Sequence, residues 1–262
     1  MAEKPKNSLK EDFISRLSEN KQHIISLAVL FILPFFLYSS IFLGDQTYMA
    51  NDVMQWRAGA ESIIEYKEAN DGENPLWATN MFSGMPSYVI SAPQSVPSVD
   101  TLVKEISDAA YPLQYFWVLL GGIYLLFILQ GMRPLASVTG SVLIGFTTYI
   151  PIIIEAGHNT KFVAYAFIPW VLIGYWMMSR SNKKLLAFFI FSLALTLELR
   201  ANHPQVFYYF IYLLGFWWIY DTVQAYRKNE INAWLTRSAY ITGAGILAIV
   251  SSMESYWRLY EY

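Results

Sequence analysis

The feature of this sequence that most constrains its fold is a series of seven uncharged, apolar stretches separated by charged segments. The first stretch, 24–43, has 20 residues. As a helix rising ~1.5 Å per residue, it is long enough to cross a hydrocarbon core of roughly 30 Å. It is also longer than the apolar core of a cleaved signal peptide. We predict seven transmembrane helices, at 24–43, 109–132, 134–154, 162–179, 185–197, 204–220 and 238–253.

Composition agrees with a membrane protein. Hydrophobic residues make up 55% of the chain and aromatic residues 17%, whereas a soluble domain is about 45–50% apolar. The absence of cysteine excludes disulfides and thiolate metal sites. A net charge of −2 without a basic patch gives no reason to expect a nucleic-acid partner. We therefore expect an all-α integral membrane domain at 24–262, embedded in a lipid bilayer, after a cytoplasmic tail at 1–23.

Lysine and arginine predict the orientation, because cytoplasmic segments of membrane proteins carry the excess of these residues. With the N-terminus in the cytoplasm, the inner segments hold 12 lysine and arginine residues and the outer segments hold six. Acidic residues divide in the opposite sense, with six inside and 14 outside. The sequence thus predicts a multi-pass protein whose N-terminus is cytoplasmic.

The longest outer segment is 44–111, between the first two predicted helices. Within it, Val53, Trp56, Ala60 and Ile63 recur at helical spacing among charged residues. Such a pattern predicts an amphipathic helix, which we expect to lie on the outer membrane surface.

Polar residues that can bind or catalyse are concentrated in the outer segments. The candidates are Asp52 after the first helix, Glu155, His158, Asn159 and Lys161 after the third, and Glu198, Arg200, Asn202 and His203 after the fifth. The fifth uncharged stretch has only 13 residues, roughly 20 Å of helix. Glu198 and Arg200 are therefore expected at or below the outer interface, where charges usually face a cavity or a partner.

Ordinary structural roles are also open to these residues. The alternatives are snorkelling to the interface for Glu198 and Arg200, a solvated pair for Glu155 and Lys161, helix capping for Asn202 and His203, and a helix-dipole contact for Asp52.

Four segments carry a resemblance to a known family. The stretches 51–56, 75–86, 157–161 and 198–205 resemble the YfhO-like membrane proteins of Bacteroidetes-type bacteria. A first helix followed by a long outer loop with an early acidic residue is similar to the opening of GT-C type glycosyltransferases. The resemblance covers nearly the whole chain. Because members of that family are usually longer, it also implies an N-terminal fragment.

The resemblance implies a glycosyltransferase in the bacterial cytoplasmic membrane, which moves a sugar from a polyprenyl-phosphate-linked donor to an extracytoplasmic glycan or lipid. Asp52 would be the acidic residue that takes the acceptor proton or orients the acceptor. Lys161 and Arg200 would bind the leaving phosphate, with His158 and His203 as hydrogen-bond donors.

Some GT-C enzymes use a divalent metal ion. Asp52, Glu155 and His158 are the residues here that would supply ligands to one, although nothing in the sequence fixes a metal requirement.

Two other functions fit the same outer residues. A transporter or flippase for a lipid-linked or anionic substrate would use a polar outer cavity, although no internal duplication typical of transporters is present. A non-catalytic scaffold that binds a lipid-linked glycan would bind without transfer. Product analysis separates the transferase from the transporter, since only a transferase modifies its substrate.

The absence of cysteine makes the predicted sidedness directly testable. Single cysteines at positions 52, 158 and 203 should all react with a membrane-impermeant maleimide added outside intact cells. A cysteine at position 183 should react only after the membrane is opened. Labelling of positions 52, 158 and 203 from opposite sides would contradict a common outer face.

Overall fold

A computed structural model of the chain describes residues 18–43, 50–90 and 111–261. Most of the predicted N-terminal tail and parts of the outer segment, 44–49 and 91–110, lie outside the described residues. The described helices are α1 Glu19–Leu37, α2 Ser39–Leu43, α3 Asn51–Ala69, α4 Ser87–Ile90, α5 Leu113–Leu129, α6 Pro134–Gly145, α7 Tyr149–Ala156, α8 Asn159–Arg180, α9 Lys184–Arg200, α10 Pro204–Arg227 and α11 Ile231–Glu261. Two short strands, β1 Trp77–Ala78 and β2 Met85–Pro86, pair antiparallel.

The chain is an all-α membrane protein. Among the described residues, α1, α8, α10 and the segment Ile231–Glu254 of α11 are long and apolar enough to cross a bilayer. The bent pair α6 and α7 supplies a fifth span if it crosses as one unit. Each of the seven predicted stretches contains a described helix, but two of these helices, α5 and α9, have only 17 residues each, about 26 Å. By length and composition the described residues supply four spans, or five if the bent pair counts as one, and the count of seven stays a prediction.

The third predicted helix is broken. α6 and α7 meet at an angle of 42° across residues 146–148. Pro134 opens α6 at a position where a missing N–H breaks no helical hydrogen bond. Pro151 lies in the first turn of α7, where the N–H groups also lack a partner within the helix. The break thus precedes Pro151 and spares the hydrogen bond that proline would otherwise remove.

The fifth predicted helix extends further than its uncharged stretch. α9 continues through Glu198 to Arg200, because both residue types are good helix formers whatever their charge. Asn202 follows in the left-handed conformation, with φ of +56°, which asparagine tolerates better than most residues. This turn reverses the chain into α10.

α8 is the central helix. In its most apolar stretch of membrane length, 56% of the residues are buried inside the protein. In the other three long spans the corresponding fraction is 17% or less. Its first half packs with α1, α5 and α7 in a cluster around Phe116 and Phe162. Its second half packs with α9, α10 and α11 around Ile173 and Phe191. Residues at its two ends are consequently held at fixed positions.

α3 is the helix predicted for the outer segment. Ala60 and Ile63 are its buried residues, and the strand hairpin packs against it through Asn80, whose amide donates to the Ala58 carbonyl oxygen at 3.1 Å. Trp56 is 46% exposed, so part of the predicted apolar face is not covered by protein. Its contact with a membrane surface stays a prediction.

A close approach of α8 and α9 gives a stability prediction. A Cβ atom on Gly174 would lie 2.6 Å from the backbone nitrogen and Cα of Phe191. Gly174→Ala should therefore separate the two helices and lower stability by about 1–3 kcal/mol, measured by thermal unfolding in detergent. Gly121→Ala in α5 is the control, since its Cβ meets nothing within 4 Å. Equal melting temperatures for the two variants would contradict the tight contact.

Candidate functional site

The start of α3 and the start of α8 bring an acid and an imidazole together. The His158 Nδ1 and Asp52 Oδ2 atoms are 2.9 Å apart. Asp52 lies in the first turn of α3, and His158 directly precedes α8. Their side chains are 45% and 43% exposed, so the pair is open to a substrate. An acidic side chain in the first turn of a helix is also favoured by the helix dipole.

Gly157 makes this pair possible. It ends α7 in the left-handed conformation with φ of +90°, where side chains other than those of glycine and asparagine are disfavoured. A Cβ at this position would lie 2.8 Å from the Ala50 Cβ and 3.2 Å from the Asp52 Cβ. Glycine therefore allows both the turn and the close approach of α3, and this places Asp52 beside His158.

Asn159 joins a different contact at the same end of α8. The Tyr111 hydroxyl donates a hydrogen bond to the Asn159 amide oxygen at 2.6 Å. Since Tyr111 lies just before α5, the bond ties the starts of α5 and α8 together. Tyr111 carried no signal in the sequence that would have marked it.

His203 reaches α8 from the loop before α10. Its Nδ1 atom lies 3.3 Å from the Thr160 hydroxyl oxygen. Its Nε2 atom is buried and has no hydrogen-bond partner among the described residues. Burial lowers the pKa of His203 below its usual 6.5, and Lys161 and His158 lower it further by their charge. His203 is therefore neutral at pH 7.

These contacts define the α8 cluster, which consists of Asp52, His158, Asn159, Thr160, Lys161 and His203. Five of its six members were predicted as site residues. Thr160 was not, although it lies inside a stretch that carries the family resemblance.

Glu155 lies two residues before Gly157 and is exposed. It is near enough to Tyr38, at the end of α1, to interact with it electrostatically. Among the described residues, no group of three or more histidine, aspartate and glutamate side chains is arranged to hold a metal ion. Asp52, Glu155 and His158 thus do not form the preassembled metal site that was considered, and we derive no step through a metal.

Glu198 and Arg200 lie at the end of α9, in its interface with α11. Glu198 is 1% exposed, and neither carboxyl oxygen has a hydrogen-bond partner in the described part of the chain. Tyr256 of α11 is near it and donates its hydroxyl to the Leu199 carbonyl oxygen at 2.8 Å. Arg200 is 6% exposed and donates to the Ser251 carbonyl oxygen at 3.1 Å. Because both side chains are buried within the protein, neither extends outward as snorkelling to the interface would require.

Asn202 is exposed and forms the left-handed turn between α9 and α10. The prediction that the His203 side chain caps α10 is wrong. His203 directly precedes α10, but its side chain makes no capping hydrogen bond.

Comparison with known proteins gives no relative. No protein-family model matches this chain, and neither the curated proteins nor the solved structures contain a match. The resemblance to YfhO-like proteins therefore stays a prediction, and function has to be argued from the site.

The α8 cluster combines three chemical capacities. The Asp52–His158 pair can accept a proton, since a carboxylate that receives the Nδ1 hydrogen leaves Nε2 free as a base. Lys161 supplies a cationic side chain, and Thr160 and Asn159 supply polar groups. Base, cation and hydrogen-bonding groups within one accessible end of a helix suit transfer reactions in which an anionic group leaves.

The environment of His203 predicts how stability depends on pH. The pKa of His203 in the folded protein lies below its usual value of 6.5. As the pH falls from about 6.5 through the folded pKa, the unfolded chain therefore binds more protons than the folded protein, and stability is lost over that range. We expect the melting temperature of His203→Gln to fall less than that of the wild type when the pH is lowered from about 7.5 to about 5.5.

His23→Gln is the control, because His23 contacts Tyr124 at the opposite end of the helices. It should keep the pH dependence of the wild type. If His203→Gln also keeps it, His203 is not held neutral by its surroundings.

Proposed function

We propose that this protein is a membrane glycosyltransferase that transfers a sugar from a polyprenyl-phosphate-linked donor to an acceptor outside the cytoplasm. The observation that carries the proposal is the 2.9 Å contact between Asp52 and His158, in side chains that are both nearly half exposed. A hydroxyl acceptor needs a positioned base, and an accessible acid–imidazole pair is such a base.

In the proposed reaction the acceptor hydroxyl gives its proton to His158 Nε2, while Asp52 holds the imidazole through Nδ1. The acceptor oxygen forms a bond to the anomeric carbon of the sugar. The bond between that carbon and the phosphate oxygen breaks, and the electron pair leaves with the lipid phosphate. The Asp52 carboxylate stabilises the imidazolium that results.

The leaving phosphate requires positive charge and hydrogen-bond donors. Lys161 follows His158 by less than one helical turn, and its charge is near enough to affect His203. The first N–H groups of α8 have no partner within the helix, and the helix dipole is positive at this end. We assign Lys161 and the start of α8 to the phosphate.

The proposal includes the seven-span topology, with the N-terminus in the cytoplasm of a bacterium and the α8 cluster outside. Its support is that every predicted stretch contains a described helix, and that α5 and α9 are only about 4 Å short of a ~30 Å core. The charge asymmetry of the sequence supports the sidedness.

Transport of a lipid-linked or anionic substrate is the second candidate. It is favoured by Glu198, whose buried carboxyl oxygens have no hydrogen-bond partner among the residues that the structure describes. Ionisable residues within membrane-embedded helices are rare and often belong to substrate or proton pathways. Transport would depend on a gradient and return the substrate unmodified.

The transferase is tested by removing the base. We expect Asp52→Asn and His158→Gln each to lower transfer by about 10²- to 10⁴-fold. The assay supplies membranes with radiolabelled polyprenyl-phosphate hexoses and measures both release of polyprenyl phosphate and labelled acceptor. If the two residues act as one unit, the double variant loses little more than either single variant.

Glu65→Gln is the matched control, because Glu65 is an exposed carboxylate on the same helix α3 and lies outside the cluster. It should leave transfer unchanged. Full activity in Asp52→Asn membranes with normal insertion would remove Asp52 from the mechanism. Binding of the labelled donor without release would instead favour the scaffold, and gradient-dependent uptake of intact donor would favour the transporter.

A further inference from the structure

A second polar pocket lies at the other end of α8. It has a volume of about 330 Å³ and is lined by the end of α8, the last part of α10 and the start of α11. The 22 residues of α8 separate it from the α8 cluster by about 33 Å. We call it the Arg180 pocket, and its charged lining residues are Arg180, Lys228, Arg237, Asp221 and Glu230.

This pocket holds three cationic side chains and two carboxylates. In the described part of the chain, Arg180, Lys228 and Arg237 have no carboxylate at ion-pair distance. Asp221 instead accepts a hydrogen bond from the Tyr175 hydroxyl at 3.1 Å. The Lys184 ammonium is also close to Arg237. The pocket therefore presents cationic donors that an anionic group can bind.

An apolar cavity lies next to this pocket, nearer the middle of the helices. Its volume is about 300 Å³, and α8, α9, α10 and α11 line it. Tyr175 lines the apolar cavity while its hydroxyl reaches Asp221 in the Arg180 pocket. Trp218 lines the cavity one turn before Asp221 along α10, and Ile241 lines it about one turn after Arg237 along α11. The two spaces are thus stacked along α10 and α11.

We propose that the Arg180 pocket and this cavity bind one molecule of an anionic lipid. The phosphate of the headgroup contacts the three cations, and part of a hydrocarbon chain fills the apolar cavity. A free anion uses only the first space, and a zwitterionic lipid gains less from the cations because its own positive group opposes them. In the predicted topology this end of α8 faces the cytoplasmic leaflet, where anionic lipids bind basic pockets between helices. The proposal does not depend on the transferase reaction, because that reaction is assigned to the opposite end.

The headgroup contact is tested with the full chain in a neutral detergent, with native mass spectrometry to measure retained lipid. The probes are phosphatidylglycerol and phosphatidylcholine with identical 16-carbon chains. Wild type should retain phosphatidylglycerol preferentially. Arg180→Gln and Arg237→Gln should each weaken its retention about fivefold, the loss expected for one cation at a lipid headgroup.

Arg227→Gln is the control for general surface charge. Arg227 is exposed near the same end of α10 but does not line the pocket. Its substitution should change retention less than twofold. If all three arginine variants lose the same affinity, or if phosphatidylcholine binds as well as phosphatidylglycerol, the cations are membrane anchors only and the proposal is overturned.

The hydrocarbon contact is tested by filling the cavity. Gly245 and Gly215 line it, and an added Cβ at either position meets nothing within 4 Å. Gly245→Leu should weaken phosphatidylglycerol retention roughly tenfold, the loss expected when about two buried methylene groups no longer fit. Gly121→Leu, at an equally open site in α5, should leave retention unchanged.

Thermal unfolding of each variant shows whether the fold is kept, and Gly215→Leu replaces Gly245→Leu if that variant does not fold. Inorganic phosphate is the competing probe. The proposal requires it to displace phosphatidylglycerol poorly. Ready displacement by phosphate, or unchanged retention in a folded cavity-filled variant, would show that no chain is bound and would overturn the proposal.

Discussion

The structure depends on the burial of α8 between two groups of helices. A helix with apolar residues on all sides gains little hydrophobic energy when it exchanges lipid for protein, so close packing has to hold its neighbours in place. Glycines provide that packing: Gly174 lets the α9 backbone approach, and Gly122 lets α5 approach Pro169 and Trp170. Both ends of α8 are fixed as a result. The α8 cluster forms at one end, and the Arg180 pocket forms at the other.

The Asp52–His158 pair joins residues that are more than a hundred positions apart, and a single glycine allows them to meet. The charges of aspartate and histidine do not by themselves require these two residues to meet. A larger residue at Gly157 would collide with Ala50 and Asp52 and would also be strained by the positive φ. The geometry of the proposed base therefore rests on a residue without functional groups of its own. Glu198 shows the opposite case, since its carboxyl group is the chemically notable feature and the fold gives it no hydrogen-bond partner in the described residues.

The spacing of charges along the chain predicted the helices well. An uncharged stretch of membrane length has few alternatives to a helix in lipid, and each of the seven stretches contains a described helix. The pattern was poorer at helix ends, because backbone hydrogen bonds continue through charged residues such as Glu198 and Arg200. The charge pattern also predicted poorly which helices are long enough to span a membrane. The break at 146–148, for example, has no strong sequence signal apart from the proline that follows it.

The sequence by itself determined that the chain belongs in a membrane, where its helices lie and which polar residues are available for chemistry, because hydropathy and charge are local properties. Only the tertiary structure decided which of those residues meet. It brought Asp52 to His158 and His203 to Thr160, and it buried Glu198 between α9 and α11. Such contacts depend on how helices pack across long sequence separations, and a single sequence does not encode that packing in any pattern of neighbouring residues.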